Sequence, residues 1–439
     1  MKKIIYLGLF IFLCSCTKNE FRISTSLLEE TGPGNSTIVI SFCPAIVEQI
    51  DPTKVNTEFD IHDVNIYLFN LQNNTAQNHY IAGNNSFTLD LVNGTYDIYV
   101  IGNWGRDLGP MSVRDLEKLK TSVASESQIT SDNRMIMSNK QTVAINKNTT
   151  LQIPLNRVAV KVTFNISLSS EMAIDSKITY IRPYNCNNSV SLFADSRLSI
   201  GVGAAYSGIP ISLPDAKKIT KSYYFMENMQ GKNNSIASQN GRNHANAPTY
   251  STYLWIRVER NTKFIDYYVY LGGNITDDFN LCRNTNYNYN IVIEGENTND
   301  LRVSQTNIYI SKGSSEMGLS TFNQFLFIMP YEYGYCQLHI ETINNLPDNV
   351  YTFSFYNVSG TFNPDWKMQY LIKGQIPETY KSIFEHQRLQ AHVGNGSTVI
   401  TFCFYNGRTS IFNHVFNFTI DDKNGYSKNL IVTTSKEWS

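Results

Sequence analysis

The sequence predicts an all-β protein that is exported from the cell and forms more than one β domain. Tyrosine and phenylalanine are abundant, with 27 and 24 copies among 439 residues, and aromatic side chains favour strands. Long runs of Ala, Leu, Glu and Lys, which are typical of helices, are scarce. Short runs that alternate apolar and polar residues recur between turns. The length of the chain suggests two or three domains.

The amino terminus has the pattern of a bacterial lipoprotein signal. Two lysines precede the apolar run Ile4–Leu13, which is too short to span a bilayer as a mature helix. The lipobox pattern Leu-Cys-Ser-Cys ends at Cys16, whose thiol would be acylated before cleavage in front of it. We expect residues 1–15 to be a signal peptide and 16–36 a lipidated tether. No Asp follows Cys16, which favours the outer membrane over the inner membrane. The alternative to a lipoprotein signal is an ordinary cleaved signal peptide in which the cysteine is incidental.

No pattern in the chain predicts catalysis, a cofactor or a metal site. The sequence contains no nucleophile elbow, phosphate loop or dinucleotide fingerprint. Cys336 and His339 have a ligand-like spacing, but no second close pair completes a tetrahedral zinc site. The net charge of -1 leaves no basic footprint for nucleic acid. We therefore expect a non-enzymatic protein without a nucleic-acid partner.

Five cysteines follow the lipobox. They are odd in number and widely spaced, which does not indicate a disulfide framework. We expect small buried apolar side chains at Cys43, Cys186, Cys282, Cys336 and Cys403.

The first predicted β domain spans residues 37–157. Its first strand is Thr37–Cys43, and Val64–Phe69 then places Val64, Ile66 and Leu68 on one face of a second strand. A hairpin with an Asn-Gly turn follows, and its two strands are Phe87–Leu91 and Tyr96–Ile101.

One helix is predicted as an insertion into this domain. Ser112 and Asp115 form a capping box, and apolar residues lie on one face as far as about Ile129. We therefore expect a helix over Ser112–Ile129. The next strong strand, Val158–Ile166, carries the chain into a second domain.

The second predicted β domain spans residues 158–303. A meander of three alternating strands is expected at Leu254–Val258, Ile265–Leu271 and Tyr287–Ile293. The polar, turn-rich segment Gly231–Ala247 precedes this meander and is expected to be a mobile surface loop.

A third predicted β domain spans residues 304–439. Its last two strands are an ordinary hairpin within the domain or a terminal pair that is donated to a neighbouring subunit. The predicted strands are Phe325–Met329, Tyr351–Tyr356, Val399–Tyr405, Phe412–Ile420 and Leu430–Thr433.

Several stretches together resemble the fimbrillins of Bacteroidales, which are lipoprotein precursors of type V pili and their accessory subunits. With the lipobox, the resemblance covers about residues 1–303. The stretches are Phe59–Phe69, Leu155–Val162, Tyr223–Gly231, Tyr270–Asn274 and Phe279–Tyr287.

The resemblance implies tandem β-sandwiches of transthyretin-like topology and assembly by donor-strand exchange, in which a neighbour's strand fills a groove. In stalk subunits a trypsin-like protease cuts after an early Arg and removes the first strand. Here the loop after Thr37–Cys43 contains Lys54 but no Arg, and the earlier Arg is Arg22. These two residues are the candidate cleavage sites. The missing Arg and the extra third domain favour an accessory subunit, tip or anchor. A tip precursor would lose its lipid with the first strand, whereas an anchor would keep it on Cys16, and the missing Arg favours retention.

Two functions follow from the sequence. The first is a fimbrial accessory subunit at the outer membrane, whose partners are other fimbrial subunits and a surface glycan or protein. The alternative is a glycan-binding outer-membrane lipoprotein, in which Trp104 and Trp366 are aromatic residues that could stack on sugars. A hydrolase with an unfamiliar site is a third and weaker hypothesis.

Overall fold

A computed structural model describes most of the first 312 residues and, beyond them, the strands alone. The described ranges up to that point are 34–45, 60–130, 135–193, 205–261, 263–297 and 299–312. Cys16, Arg22, Lys54 and Trp366 lie outside the described residues. Within the described ranges, no helix has the length and apolar character needed to cross a membrane.

The first sandwich contains seven strands in two layers, β3-β2-β5-β7 and β8-β1-β4. The layers are continuous only where β7 and β8 pair, at Met137–Arg157 and Ser138–Asn156. Apolar side chains such as Val64, Ile66 and Ile98 fill the space between them. The strands are β1 Asn35–Pro44, β2 Asp63–Asn70, β3 Ala76–Ala82, β4 Ser86–Val92, β5 Gly94–Gly102, β7 Met137–Ile145 and β8 Thr149–Arg157, with β6 Lys120–Ser122 inserted between β5 and β7.

The second sandwich has the layers β14-β10-β17-β18 and β15-β9-β20. Its core contains Val160, Phe164, Ile256 and Ile291, all nearly or completely buried. The strands of this part are β9 Ala159–Leu168, β10 Ser176–Tyr184, β11 Cys186–Asn187, β12 Ser189–Ser191, β13 Ala205–Tyr206, β14 Ile211–Ala216, β15 Lys218–Met226, β16 Asn228–Lys232, β17 Tyr253–Arg260, β18 Lys263–Tyr270, β19 Asp278–Leu281 and β20 Asn286–Ile293.

The two sandwiches share one topology. In the first, β1 is parallel to the last strand, β8, and antiparallel to β4. In the second, β9 is parallel to the last strand, β20, and antiparallel to β15. In each sandwich the first strand therefore lies in the sheet between a strand from the middle of the sequence and the last strand. The predicted all-β fold with tandem β-sandwiches is confirmed.

The C-terminal strands form a third set. β21 pairs with β18 and also with β24, so a continuous ladder crosses the predicted boundary at residue 303. The domain boundaries predicted from the sequence stay predictions. The strands are β21 Val303–Lys312, β22 Met317–Thr321, β23 Gln324–Met329, β24 Tyr333–Ile343, β25 Val350–Phe355, β26 Lys367–Ile372, β27 Lys381–Ser382, β28 Arg388–His392, β29 Gly396–Tyr405, β30 Val415–Asp421 and β31 Ser427–Thr434.

The inserted helix is much shorter than predicted. Helix α1 spans Val113–Lys118, and the Ser112 hydroxyl accepts a hydrogen bond from the Asp115 backbone amide, as its capping role requires. The helix ends because Leu119 is extended and the residues that follow form β6, which pairs with β12 of the second sandwich. The predicted continuation to Ile129 is therefore not confirmed.

The segment between β5 and β7 also joins the two sandwiches. Its Leu116, Val123 and Ile129 pack in one buried cluster with Val190 and Met226 of the second sandwich. Backbone hydrogen bonds continue the pairing of β6 with β12 at both ends, from Val123 to Asn188 and from Leu192 to Leu119. The insertion therefore holds one sandwich against the other through both apolar packing and backbone hydrogen bonds.

Candidate functional site

Strand β1 is paired along its whole length, and in its middle, from Ile38 to Ser41, it is paired on both sides. It runs antiparallel to β4 from Asn35 opposite Val92 to Ser41 opposite Ser86. It runs parallel to β8 from Ile38 opposite Thr149 to Pro44 opposite Leu155. Among the described strands, β4 has no other strand partner, and β8 has only its short contact with β7. The β8-β1-β4 layer of the first sandwich therefore depends on β1.

The inward face of β1 fills the middle of the core. Ile38 and Ile40 are completely buried and Phe42 is 4% exposed. The Phe42 ring stacks on Phe87 with ring centroids 6.2 Å apart. Burying an apolar side chain of this size stabilises a fold by about 1.5–3 kcal/mol. Loss of β1 would expose an apolar groove together with the backbone edges of β4 and β8.

Polar contacts hold the outward face of β1 and its amino-terminal end. The Thr37 hydroxyl donates to the Asp90 carboxylate at 2.7 Å, and the Thr37 backbone amide donates to the Asn148 side chain at 2.8 Å. The Ser36 hydroxyl donates to the Asn93 side chain at 2.5 Å. These contacts fix the register of β1.

The carboxyl end of β1 reaches the second sandwich. The Ala45 backbone amide donates to the Leu155 carbonyl at 2.9 Å, and the Asn284 side-chain amide donates to the Ala45 carbonyl at 2.9 Å. Asn284 has a left-handed backbone, with φ of 55°, which Asn tolerates better than most residues. The sequence stretch that contains Asn284 contributed to the family resemblance, but the pattern gave no sign of a contact with the end of β1.

The cysteines whose side chains are described differ in their burial and in whether the thiol is free. Cys43 is half-buried with a free thiol, and burial raises the pKa of that thiol. Cys186 is a free and fully buried thiol, as predicted. Cys282 is disulfide-bonded, so its prediction as a simple apolar side chain is wrong.

The carboxy-terminal strand β31 is also paired on both sides. It is parallel to β23 and antiparallel to β30, which precedes it in the chain. This arrangement is that of an ordinary hairpin within a sheet, which was one of the two alternatives from the sequence. In the described conformation, β1 and β31 are both paired within this chain, and neither is available for pairing with another subunit.

The predicted lipidation and cleavage residues fall outside the described part of the chain. Cys16 and Arg22 precede β1, and Lys54 lies in the segment between β1 and β2. Cleavage after Lys54 would therefore separate β1 from the rest of the sandwich, whereas cleavage after Arg22 would leave β1 attached. Within the described ranges, no group of three or more His, Cys, Asp and Glu side chains could hold a metal ion.

Two family models match the chain. Residues 49–177 match the model for the major fimbrial subunit protein (FimA), from the segment after β1 to the start of β10. Residues 223–291 match a domain of unknown function, DUF4906, within the second sandwich. No curated protein matches the sequence.

Solved structures from three bacteria are similar to the chain. A candidate cell adhesion protein from Bacteroides eggerthii has 14% identity and a TM-score of 0.41, over 61% of this chain and 89% of that one. A fimbrilin from Porphyromonas gingivalis has 12% identity and a TM-score of 0.34, over 51% and 70%. A fimbrial assembly protein from Parabacteroides distasonis has 10% identity and a TM-score of 0.33, over 62% and 94%. Scores of this size do not carry an assignment.

The FimA match and the observed sheets coincide in the first sandwich. The matched residues include β2 to β8, which form both layers around the β1 groove. The match supports a fimbrial or adhesive protein of the cell surface. Residues 49–177 are similar to the major fimbrial subunit protein (FimA), which confirms the fimbrillin resemblance of the sequence over that stretch.

Proposed function

We propose that this protein is an accessory subunit of a fimbria, held at the outer membrane by a lipid on Cys16, and that it joins its neighbours by β-strand complementation. The observation that carries the proposal is the position of β1 in the first sandwich. β1 is the sole described strand partner of β4 and buries three apolar side chains in the core. A strand from a neighbouring subunit with the same apolar spacing would satisfy the same groove and the same backbone groups.

Complementation requires that β1 leaves the position it occupies. An empty groove would leave the edges of β4 and β8 unpaired and expose the side chains around Ile40, at a cost that favours immediate replacement. Two routes are open. Cleavage after Lys54 would remove β1 together with the lipid, whereas displacement of an uncut β1 would keep the lipid on Cys16. The proposed accessory role uses the second route.

Recovery of fimbriae from cells that express the protein tests this function. Fibres are sheared from the cell surface and purified, and their subunits are identified by mass spectrometry and amino-terminal sequencing. We expect the chain in the fibre fraction or at its membrane-attached ends, with a lipid on Cys16. A Cys16→Ser variant is the control for the anchor and should release the protein from the membrane. Absence of the chain from every fibre preparation would contradict the proposal.

A further inference from the structure

A cavity of about 490 Å³ lies at the junction between the first and second sandwiches. Protein interiors are close-packed, and voids much larger than a water molecule are rare. The volume is in the range of small-molecule sites, about 300–1,000 Å³, which occur often at domain interfaces. By comparison, the cavity beside Arg242 in the second sandwich measures about 60 Å³ and has room for only a few water molecules.

The cavity has an apolar base and a polar rim. Val158 and Met226, both almost fully buried, belong to the base. Trp104, Ser122 and Gln128 lie towards the exposed side, with Trp104 half-buried and the other two exposed. The site therefore offers one indole, hydroxyl and amide groups, and an opening to solvent.

Among the described residues that line this cavity, none carries a charge. A phosphate, a carboxylate or a cation would lose hydration there without gaining an ionic partner, which is costly. The Ser122 hydroxyl donates to the Ser189 hydroxyl, and the Gln128 side-chain oxygen accepts from the Ala124 amide. Both side chains are also exposed, and a purely apolar ligand would shut them off from water. The chemistry that fits is neutral and has an apolar face and a hydroxyl-rich edge. A pyranose ring has both, because its C–H groups form a face that can stack on an indole.

The backbone that presents Trp104 is fixed before any ligand binds. The preceding residue, Asn103, has a left-handed φ of 62°. Its side-chain amide donates to the carbonyls of Asp60 and Met135 at 2.8 and 3.0 Å, and its side-chain oxygen accepts from the His62 amide at 2.8 Å. Gly105, which follows Trp104, donates its amide to the Asp63 carboxylate. Such positioning lowers the entropy lost on binding.

We propose that this cavity binds a neutral saccharide unit, stacked on Trp104 and hydrogen-bonded by the hydroxyl and amide groups of the rim. The site would give the proposed fimbrial subunit an adhesive role, and it is separate from β1. Binding at the cavity and strand complementation can therefore fail independently of each other.

The test uses the detergent-extracted full chain on an array of neutral oligosaccharides and their sialylated and sulfated counterparts, followed by calorimetry with each sugar that binds. We expect binding to neutral sugars. Trp104→Ala should weaken it about tenfold or more, and Trp104→Phe should weaken it less because a ring remains. Tyr80→Ala is the matched control, since Tyr80 is an exposed aromatic residue on β3 that does not line the cavity.

A second variant covers the case in which Trp104→Ala lowers the thermal stability. Thr121 lines the cavity and is 6% exposed, and Thr121→Val keeps its shape while removing the hydroxyl. We expect this variant to bind more weakly with an unchanged melting temperature. The proposal would be overturned if the wild-type protein bound no neutral sugar. It would also be overturned if the wild type, Trp104→Ala and Thr121→Val all bound equally well. Fibre assembly should be normal in all of these variants.

Discussion

Glu126 is a buried carboxylate at the junction between the two sandwiches. It is 9% exposed and accepts a hydrogen bond from the Tyr224 backbone amide at 2.9 Å. Burial raises the pKa of Glu126 above its ordinary 4.5, against the opposing effects of that hydrogen bond and of Lys221. Since the pKa is higher in the folded state, the stabilising contribution is complete below about 4.5 and is lost as the pH rises through the folded-state pKa.

Replacement of Glu126 by Gln should therefore stabilise the protein at neutral pH. Glutamine keeps an acceptor for the Tyr224 amide and carries no charge that burial would penalise. At pH 4 the wild-type carboxyl lies below its raised pKa and is mostly protonated, so we expect a smaller difference from Glu126→Gln than at pH 7. Thermal unfolding at pH 4 and pH 7 measures both effects. A variant that is less stable than the wild type at both pH values would contradict this account.

Arg257 and Asp266 form a buried ion pair between β17 and β18. Their side chains are 0% and 1% exposed, with the Arg257 Nε 2.7 Å from the Asp266 Oδ1. A second contact joins the Arg257 Nη2 to Oδ2 at 2.9 Å, and the guanidinium lies 4.0 Å from the Phe264 ring centroid. The two residues are directly opposite in the ladder. The pair is therefore bidentate and shielded from water.

Removal of one partner of this pair should destabilise the protein strongly. Asp266→Ala leaves a buried charge and should lower the free energy of unfolding by about 3–5 kcal/mol. Lys232→Gln is the control, because Lys232 is 56% exposed in its pair with Asp278, and it should cost at most about 1 kcal/mol. Chemical denaturation measures both. The double variant Arg257→Met/Asp266→Leu should recover most of the loss, and a loss as large as that of Asp266→Ala would refute the charge argument.

Individual residues show what the alternating pattern of the sequence could and could not predict. Val64, Ile66 and Leu68 are buried in the core, as the period of two predicts. Asn65 and Tyr67 on the opposite face are also buried. The Asn65 side chain donates to the Arg106 carbonyl and accepts from the Leu108 amide, and the Tyr67 hydroxyl donates to the Gly109 carbonyl. The segment of residues 106–109, which comes much later in the chain, covers this face, and a local pattern of apolar residues cannot predict that contact.

At the scale of elements, β1 offers a direct comparison between its two faces. Ile40 is completely buried and Val39, its neighbour, is 37% exposed on the opposite face. Ile40→Ala should lower the free energy of unfolding of the first sandwich by about 2–5 kcal/mol. Val39→Ala should change it by no more than about 0.5 kcal/mol. Equal effects of the two substitutions in urea unfolding would show that β1 does not hold the groove as described.

The features that the sequence did not predict are those that depend on distant partners. The helix cap at Ser112 is local and was predicted, whereas the end of α1 is set by the pairing of β6 with β12, whose residues lie far along the chain. The expected mobile segment Gly231–Ala247 likewise contains a buried Arg242, which donates to the Tyr270 carbonyl at 3.0 Å. A polar, turn-rich sequence does not reveal that its arginine is held in this way.

At the scale of the whole molecule, one topology occurs twice and the contacts between the copies are extensive. The insertion between β5 and β7 and the buried Arg157 connect the sandwiches. The Arg157 Nη2 donates to the Asn286 side chain at 3.2 Å. The same junction contains the end of β1, through Asn284, and the cavity beside Trp104. The sequence predicted two β domains but not the surface between them, because contacts such as Ser138 with Leu192 and Ala45 with Asn284 join residues far apart in the chain, and others belong to the insertion.

A disulfide that locks β1 in place tests the central claim most directly. Thr37 and Asp90 are opposite in the β1–β4 ladder, and their side chains meet at 2.7 Å on the exposed face. Thr37→Cys/Asp90→Cys should form a disulfide at the oxidising cell surface, and Thr37→Cys alone is the control. Incorporation into sheared fibres is then measured by immunoblot. We predict that the locked variant is absent from fibres and returns after mild reduction. Incorporation of the locked variant at the wild-type level would contradict strand complementation at β1.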